Sequence, residues 1–312
     1  MFKKCGKTLL KLTALSLYLI AFIAHATVID FKDMGDANAY IFSEFTGLNN
    51  DSQGALLVNE NIDLTGYTVA TLNGSDELAI ATNGNLSVNG GDVNGLVSVA
   101  GTATINNTNE LRSTSSNYEF DKNHFQKLST NLSISTNTIN TVKWSELLID
   151  TSTSRYTYIT NIDSNQLFNF NSVKTSELAL GARIVFNVSG ENINLTAKDW
   201  LIKTAAYESH DAKNILFNFF EADTVTINTS IYGSVLAPNA SVIGEGGMVN
   251  GQLIANSFTT GTNGGGTQLN QAVFNSDTLS FDNTVDTIPL PKTNLMFIGA
   301  LFLILLRRLV VC

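Results

Sequence analysis

The chain has 312 residues, 44% of them hydrophobic and only 14% charged, with 27 acidic against 18 basic side chains and a formal net charge of −9. That balance argues against nucleic acid or an anionic membrane as the main partner, because such binding is driven by basic patches. The two cysteines, Cys5 and Cys312, stand at the two ends, so no disulfide staples the body and its core must be large enough to hold itself.

Lys3, Lys4, Lys7 and Lys11 form a basic segment ahead of and into an apolar stretch from Leu12 to Ala24, and Ala24-His25-Ala26 gives a small-x-small cleavage pattern. This is the layout of a signal peptide over residues 1–26, cut by signal peptidase after Ala26 so that the mature chain starts at Thr27. Cys5 has no apolar residues before it, which rules against lipoprotein acylation. With four basic groups in the leader and three in the tail, the body between residues 27 and 288 keeps 11 basic against 27 acidic groups, a net charge near −16.

Just inside the mature terminus, Asp30, Asp33 and Asp36 recur every third residue. Carboxylate oxygens suit Ca²⁺, but the spacing is not that of an EF-hand, and a solvated acidic loop is the plainer reading. No metal or other cofactor is expected.

From Gly54 onward the body is a series of short alternating runs closed by Asn or Gly: "GALLVNENIDL", "GNLSVNGG" and "GLVSVAGTATI", then later "ARIVFNVSGENINL" and "ADTVTINTS". Val, Ile and Thr at period two predict short strands, and Asn and Gly supply the positive φ that tight corners need. Leu57, Leu78 and Val97 stand at similar places in successive segments, and so do Leu216, Val235 and Leu253. A recurrence of roughly 20 residues suits a solenoid with two or three strands per coil; a β-sandwich with evenly spaced strands is the alternative.

One segment departs from this pattern. In "SSNYEFDKNHFQKLSTNLSIS", Tyr118, Phe125, Leu128 and Leu132 fall on one helical face, and Ser116 with Glu119 has capping-box spacing. An amphipathic helix is expected from about Asn117 to Ser133, covering core along the β body.

The body offers little for catalysis. Its two histidines are His124, on the expected helix, and His210, in "ESHDAK" beside Glu208 and Asp211. There is no G-x-S-x-G elbow, no H-E-x-x-H and no cysteine nucleophile, so an enzyme is not expected.

The chain finishes with "IPLPKTNLMFIGALFLILLRRLVVC". Twelve apolar residues from Leu295 to Leu306, shorter than the roughly 20 needed to span a bilayer, precede the basic stop Arg307 and Arg308. The prolines before them favour an extended, exposed strand of the kind a transpeptidase could grip.

Several stretches resemble the choice-of-anchor A domain of bacterial surface proteins. "NAYIFSEFTGLNNDSQGALLVNENIDLTGYTVA" is similar to that family's opening, and "NILFNFFEADTVTINTSIYGSVLAPNASVIGEGGMVNGQLIANSF" carries its most specific motifs in order, over a likeness covering roughly residues 30–275. The family usually has a His near "LNQAVF", where this chain has Asn270 and Gln271, and no role transfers to that position. The resemblance implies a mainly β fold: an irregular right-handed β-solenoid, ice-binding-like, with one long amphipathic helix alongside. It gives residues 27–280 as the solenoid domain, 281–294 as linker and sorting motif, and 295–312 as hydrophobic C-terminal anchor. The tail, with Pro289, Leu290, Pro291, Lys292, Thr293 and Asn294, resembles Gram-negative signals of the Pro-Glu-Pro kind, notably the Val-Pro-Leu-Pro variant, which an exosortase reads. Leu290 to Thr293 also matches the sortase motif Leu-Pro-x-Thr-Gly, with Asn294 in place of Gly.

The expectation is therefore a secreted protein anchored at the bacterial surface, touching membrane only through its C-terminal segment. Its partners would be signal peptidase, an exosortase or sorting transpeptidase, and an extracellular polysaccharide, matrix or cell-surface ligand. Flat faces rich in Thr, Asn and Ser would do the binding through many weak hydrogen bonds. Ice binding is the alternative, with Thr82 and Thr102 as candidate face residues at the repeat spacing. A β-helix polysaccharide-degrading enzyme ranks below both.

Overall fold

Strands that are apolar throughout alternate along this chain with strands that are apolar only at every second residue, and the difference sorts them onto two walls. The computed structural model describes residues 28–106, 112–114, 117–136, 138, 140–150, 156–167, 172–175, 182–196, 209–260 and 266–277. The N-terminal half runs β1 (Ala39–Ile41), β2 (Phe45–Leu48), β3 (Leu56–Val58), β4 (Ile62–Thr65), β5 (Leu78–Thr82), β6 (Leu86–Asn89), β7 (Leu96–Val99), β8 (Ala103–Asn106) and β9 (Arg112–Thr114). Helix α1 (Lys122–Ser133) follows, then β10 (Asn140–Lys143), β11 (Glu146–Ile149), β12 (Thr157–Asp163) and β13 (Ser172–Thr175). The C-terminal half runs β14 (Arg183–Ser189), β15 (Asn192–Thr196), β16 (Ile215–Asn218), β17 (Thr224–Asn228), β18 (Ile231–Tyr232), β19 (Ser234–Gly246), β20 (Met248–Asn250), β21 (Leu253–Thr260) and β22 (Gln268–Asn270).

All strands of the first wall are parallel, in the order β12-β14-β16-β19-β21-β1-β3-β5-β7-β9. The second wall is also parallel and runs β15-β17-β19-β21-β2-β4-β6-β8. The long strands β19 and β21 belong to both, and β18-β20-β22 form a third, shorter side. The chain is the expected β-solenoid.

Its order in space is not its order in sequence. The chain begins in the middle of the stack at β1, climbs to β9, and re-enters at the opposite end with β12, until β21 pairs with β1. Nine strand spacings of about 4.8 Å separate those ends, about 43 Å. The 12 residues of α1 cover about 18 Å of that distance.

Phe186, Phe217, Val235, Leu253, Ala39, Leu56, Ile80 and Val97 form one continuous inward column on the first wall. All are buried in the interior core with Phe45, Ile62, Leu86, Val225 and Phe258 from the second wall. The outer side of the first wall is apolar too: Tyr40, Leu57, Ala81, Val185, Leu216, Leu236 and Ile254 join Phe125, Leu128 and Leu132 of α1 in a separate core.

The expected repeat has the right period in the second array and the wrong partners in the first. In register, Leu56, Ile80 and Val97 are equivalent, at uneven intervals along the chain, while Leu57 pairs with Ala81 and faces the helix. The segment from Thr71 to Glu77 lengthens one corner, so even spacing misaligns these rungs. In the C-terminal array Val235 and Leu253 do pair, but their partner is Phe217, and Leu216 points outward. A slip of one residue moves a side chain to the other side of the sheet.

Helix α1 starts later than expected, at Lys122. Its N-cap is Asp121, whose Oδ1 accepts from the His124 backbone N–H at 3.0 Å. Lys32 Nζ donates to the other carboxylate oxygen at 2.7 Å, and this bond, with the His124 one, holds the Asp121 carboxyl below its ordinary value. Residues 117–121 stay non-helical because the solenoid satisfies their backbone first. The Tyr118 N–H donates to Asn83 Oδ1 at 2.9 Å, Asn83 Nδ2 donates to the Tyr118 carbonyl at 2.8 Å, and the Tyr40 hydroxyl donates to the Glu119 carbonyl at 3.1 Å. Ser116 lies outside the described residues.

Beneath the C-terminal half of α1 the apolar outer column becomes a ladder of amides, Asn161, Asn187 and Asn218, on consecutive rungs. Asn218 Nδ2 donates to Asn187 Oδ1 at 2.9 Å, and Asn187 Nδ2 donates to Asn161 Oδ1 at 2.9 Å. The same amides reach up to the helix carbonyls of Ser129 (2.8 Å) and Leu132 (2.6 Å). "VFNV" and "LFNF" place an Asn after a Phe in successive rungs, a signal that becomes readable only once those rungs are aligned.

Candidate functional site

Among the described residues no helix lies on the outward side of the second wall, which reads in polar columns. Its strands alternate buried and exposed residues, as in Ile62-Asp63-Leu64-Thr65 and Phe45-Thr46-Gly47-Leu48, which is the pattern of a sheet packed on one side only. The middle column runs Asn194, Thr226, Ile243, Thr259, Thr46, Asp63, Ser87 and Thr104. Beside it, two positions earlier on each strand, stand Asn192, Thr224, Ser241 and Ser257, one per rung. On the N-terminal rungs the same column continues through Glu44, Asn61, Asn85 and Thr102. There Asn61 Nδ2 donates to Glu44 Oε1 at 3.2 Å, Asn85 Nδ2 donates to Asn61 Oδ1 at 3.2 Å, and the Thr102 N–H donates to Asn85 Oδ1 at 2.9 Å. Thr65, Asn89 and Asn106 make a third exposed row.

Rows repeat about every 4.8 Å along the stack and about every 6.6 Å along a strand. The face is therefore a grid of hydroxyl and amide groups, about 34 Å long over eight rungs. Threonine suits it because its β-branch restricts χ1, so the hydroxyls are largely oriented before any partner arrives. Ser257 Oγ donates to Ser241 Oγ at 3.0 Å, and the Asn61–Asn85 contact fixes a second pair across rungs. Two carboxylates, Glu44 and Asp63, and the half-buried Ile243 break the uniformity of the grid.

Of the two threonines singled out for such a face, Thr102 is on it and Thr82 is not. Thr82 is buried, with its hydroxyl bonded to the Glu60 carbonyl, and it pairs with Val58 and Val99. Their separation in the chain is not a rung, because this coil is closed by a shorter step, from Ile80 to Val97. The residues that do form the middle column, Thr46, Thr104, Thr226 and Thr259, lie in the alternating polar positions of "FTGL", "ATIN", "TVTIN" and "FTT". Sequence alternation marks them as outward, and the pairing of β21 with β2 makes them one surface.

The remaining candidates have local roles or lie outside the described residues. Asp30 Oδ1 accepts from the Lys32 N–H at 2.7 Å, the Asp36 carbonyl accepts from Gln271 Nε2 at 3.2 Å, and the Asp33 side chain is outside the description. Among the described residues no group of three His, Cys, Asp or Glu could hold a metal ion. His124 rests with Nε2 at 2.7 Å from the Asp30 carbonyl and its ring against Phe125, which ties α1 to the N-terminal segment. Asn270 donates to Asn250 Oδ1 at 2.8 Å, and the Gln271 N–H donates to Gln53 Oε1 at 2.9 Å. The side chains of Glu208, His210 and Asp211 lie outside the described residues, as do Ala24, Ala26, the stretch from Pro289 to Asn294, Arg307 and Arg308. Among the described residues no helix is long and apolar enough to cross a membrane.

No curated protein matches the chain. Among solved structures it is similar to an ice binding protein from an Antarctic biological consortium, at 15% identity and a TM-score of 0.38, over 80% of this chain and 92% of that one. It is also similar to the competence-associated pilin ComZ from Thermus thermophilus, at 9% identity and a TM-score of 0.33, over 79% of this chain and 71% of that one. A family model described as an ice-binding-like adhesive domain matches residues 30–286, most of the described solenoid included, and the chain belongs to that family.

Proposed function

We propose that this is an exported adhesive protein of a bacterial surface whose second wall binds extracellular polysaccharide or a neighbouring surface. The observation that carries the reading is a grid of Thr, Ser and Asn columns that no described element covers, on a wall whose counterpart packs against a helix. One hydrogen bond exchanged with water contributes little, so recognition rests on area, on many simultaneous contacts and on side chains already in place. A polysaccharide lying across the rungs meets hydroxyls and amides at regular intervals and displaces ordered water with groups that reproduce its bonds.

Substituting Thr46, Thr104, Thr226 and Thr259 together by valine keeps the β-branch and shape but removes four hydroxyls. Binding in a polysaccharide pull-down is expected to fall at least about tenfold, with melting within about 3 °C of wild type, since exposed substitutions cost little. Unchanged binding refutes the face as the contact. The same wall, with Thr46 beside Thr259 and Thr104 one step along from Thr102, also suits an ice surface. Glu44, Asp63 and Ile243 interrupt that lattice, which is why adhesion is preferred. Thermal hysteresis lost in the valine variant, in a protein that pulls down no polysaccharide, reverses the order.

Anchoring is proposed through the tail, by analogy with choice-of-anchor A proteins. The prolines at 289 and 291, the apolar run and Arg307–Arg308 would present an extended strand to an exosortase or sortase at the membrane. The intact mass of the surface form should lack everything beyond about Thr293, and a full-length tail on the cell surface defeats the proposal.

A further inference from the structure

We propose a second glycan contact at Trp144, the tip of the β10–β11 hairpin, where the indole stacks on the apolar face of a sugar ring. The inference rests on the adhesive reading and adds a specific site away from the polar wall.

Trp144 is 86% exposed, more than any other large hydrophobic side chain among the described residues. It occupies a two-residue turn between the paired Lys143 and Glu146. Both turn residues have positive φ, 54° at Trp144 and 62° at Ser145. Such turns favour Asn-Gly, and a bulky residue with positive φ is an outlier that needs a reason. Packing does not supply one, because the ring is in water. A residue that strains the turn and gains nothing from burial is explained by contact with something else.

The tip is also firmly mounted. On β11, Leu147 and Ile149 are 1% and 3% exposed and belong to the interior core. On β10, Asn140 Nδ2 donates to Thr160 Oγ1 at 2.6 Å and to the Asn161 carbonyl at 2.9 Å, fastening the hairpin base to β12. A rigid, exposed tryptophan gives much contact area for little ordering entropy, the property that makes this residue dominate binding surfaces. Pyranose rings present a face of C–H groups that matches an indole in size, with hydroxyls at the rim for polar neighbours. The chain's net charge of −9 favours a neutral polysaccharide over an anionic lipid surface or an acidic polymer.

The test compares full-length wild type, Trp144→Phe, and the double variant Trp144→Asn/Ser145→Gly, which gives the turn its preferred residues. Probes are chitin, cellulose and a neutral β-1,3-glucan, with phosphatidylcholine vesicles as control. The double variant is expected to melt higher than wild type and to bind polysaccharide at least about tenfold more weakly, while Trp144→Phe keeps binding within about threefold. A double variant that binds like wild type overturns this inference and leaves the adhesive reading standing. Wild type that binds none of the polysaccharides overturns this inference while the adhesive reading stands on the valine variants, and binding to vesicles in their place overturns the sugar assignment.

Discussion

Replacing Phe125 by alanine is expected to lower the free energy of unfolding by about 3–5 kcal/mol, read as a lower urea midpoint. Phe125 is 1% exposed and sits where four rings converge: Tyr40 at 5.2 Å, His124 at 5.1 Å, Phe42 at 5.9 Å and Phe31 at 6.3 Å between centroids. These rings come from the N-terminal segment, the first coil and the helix, so no single element can close over the gap left by the missing ring. Deletion forfeits both the transfer energy of the ring and the contacts of its neighbours. Phe125→Leu, which refills most of the volume, should lose less than half as much. A loss below about 1 kcal/mol for the alanine variant would show that α1 is not seated as described.

Asn218→Ala is expected to cost about 2–4 kcal/mol, through polar groups left unpaired in a buried seam. Asn218 is fully buried and its amide is engaged on both sides. Its Oδ1 accepts from Ser129 Oγ at 2.6 Å, and its Nδ2 donates to the Ser129 carbonyl at 2.8 Å and to Asn187 Oδ1 at 2.9 Å. Truncation therefore strands a buried hydroxyl on the helix and a buried amide oxygen on the next rung. Adding Ser129→Ala removes the stranded hydroxyl, so the double variant should lose less than the sum of the singles, by about 1–2 kcal/mol in urea unfolding. Strict additivity would mean that the ladder and the helix are not energetically joined.

Both variants act on the first wall, whose outer side is covered by α1, and so leave the polar columns of the second wall untouched. The strands of the first wall are apolar on both sides, as in "AYI", "LLV" and "ILFN", and every residue of these three is buried. Such a wall needs a cover, and α1 supplies one with Phe125, Leu128, Ser129 and Leu132. The strands of the second wall mostly alternate an inward Ile, Leu, Val or Phe with an outward Thr, Ser, Asn or Asp and can face water. Helix cover on one side and an open polar grid on the other follow from this one difference in residue pattern.

That pattern, the glycine and asparagine corners, and the stripe on α1 are local properties, and the sequence by itself determined them. Period-two alternation fixes which side chains share a side of a strand, and a helical stripe fixes which face of a helix is buried. At Gly247, where β19 turns into β20 with φ at +73°, an added Cβ would overlap the Thr229 carbonyl, so a residue without one is required. Only the tertiary structure decided which rung lies on which. The chain starts in the middle of its own stack, so Thr46 meets Thr259 from the opposite half of the sequence, and no local signal encodes that neighbour. Corner lengths that differ from coil to coil shift register, and each odd slip exchanges inside for outside. The short step from Ile80 to Val97 puts Thr82 in the buried first wall and Thr102 beside the second, and in-register pairing brings three asparagines distant in the chain into one ladder beneath a helix.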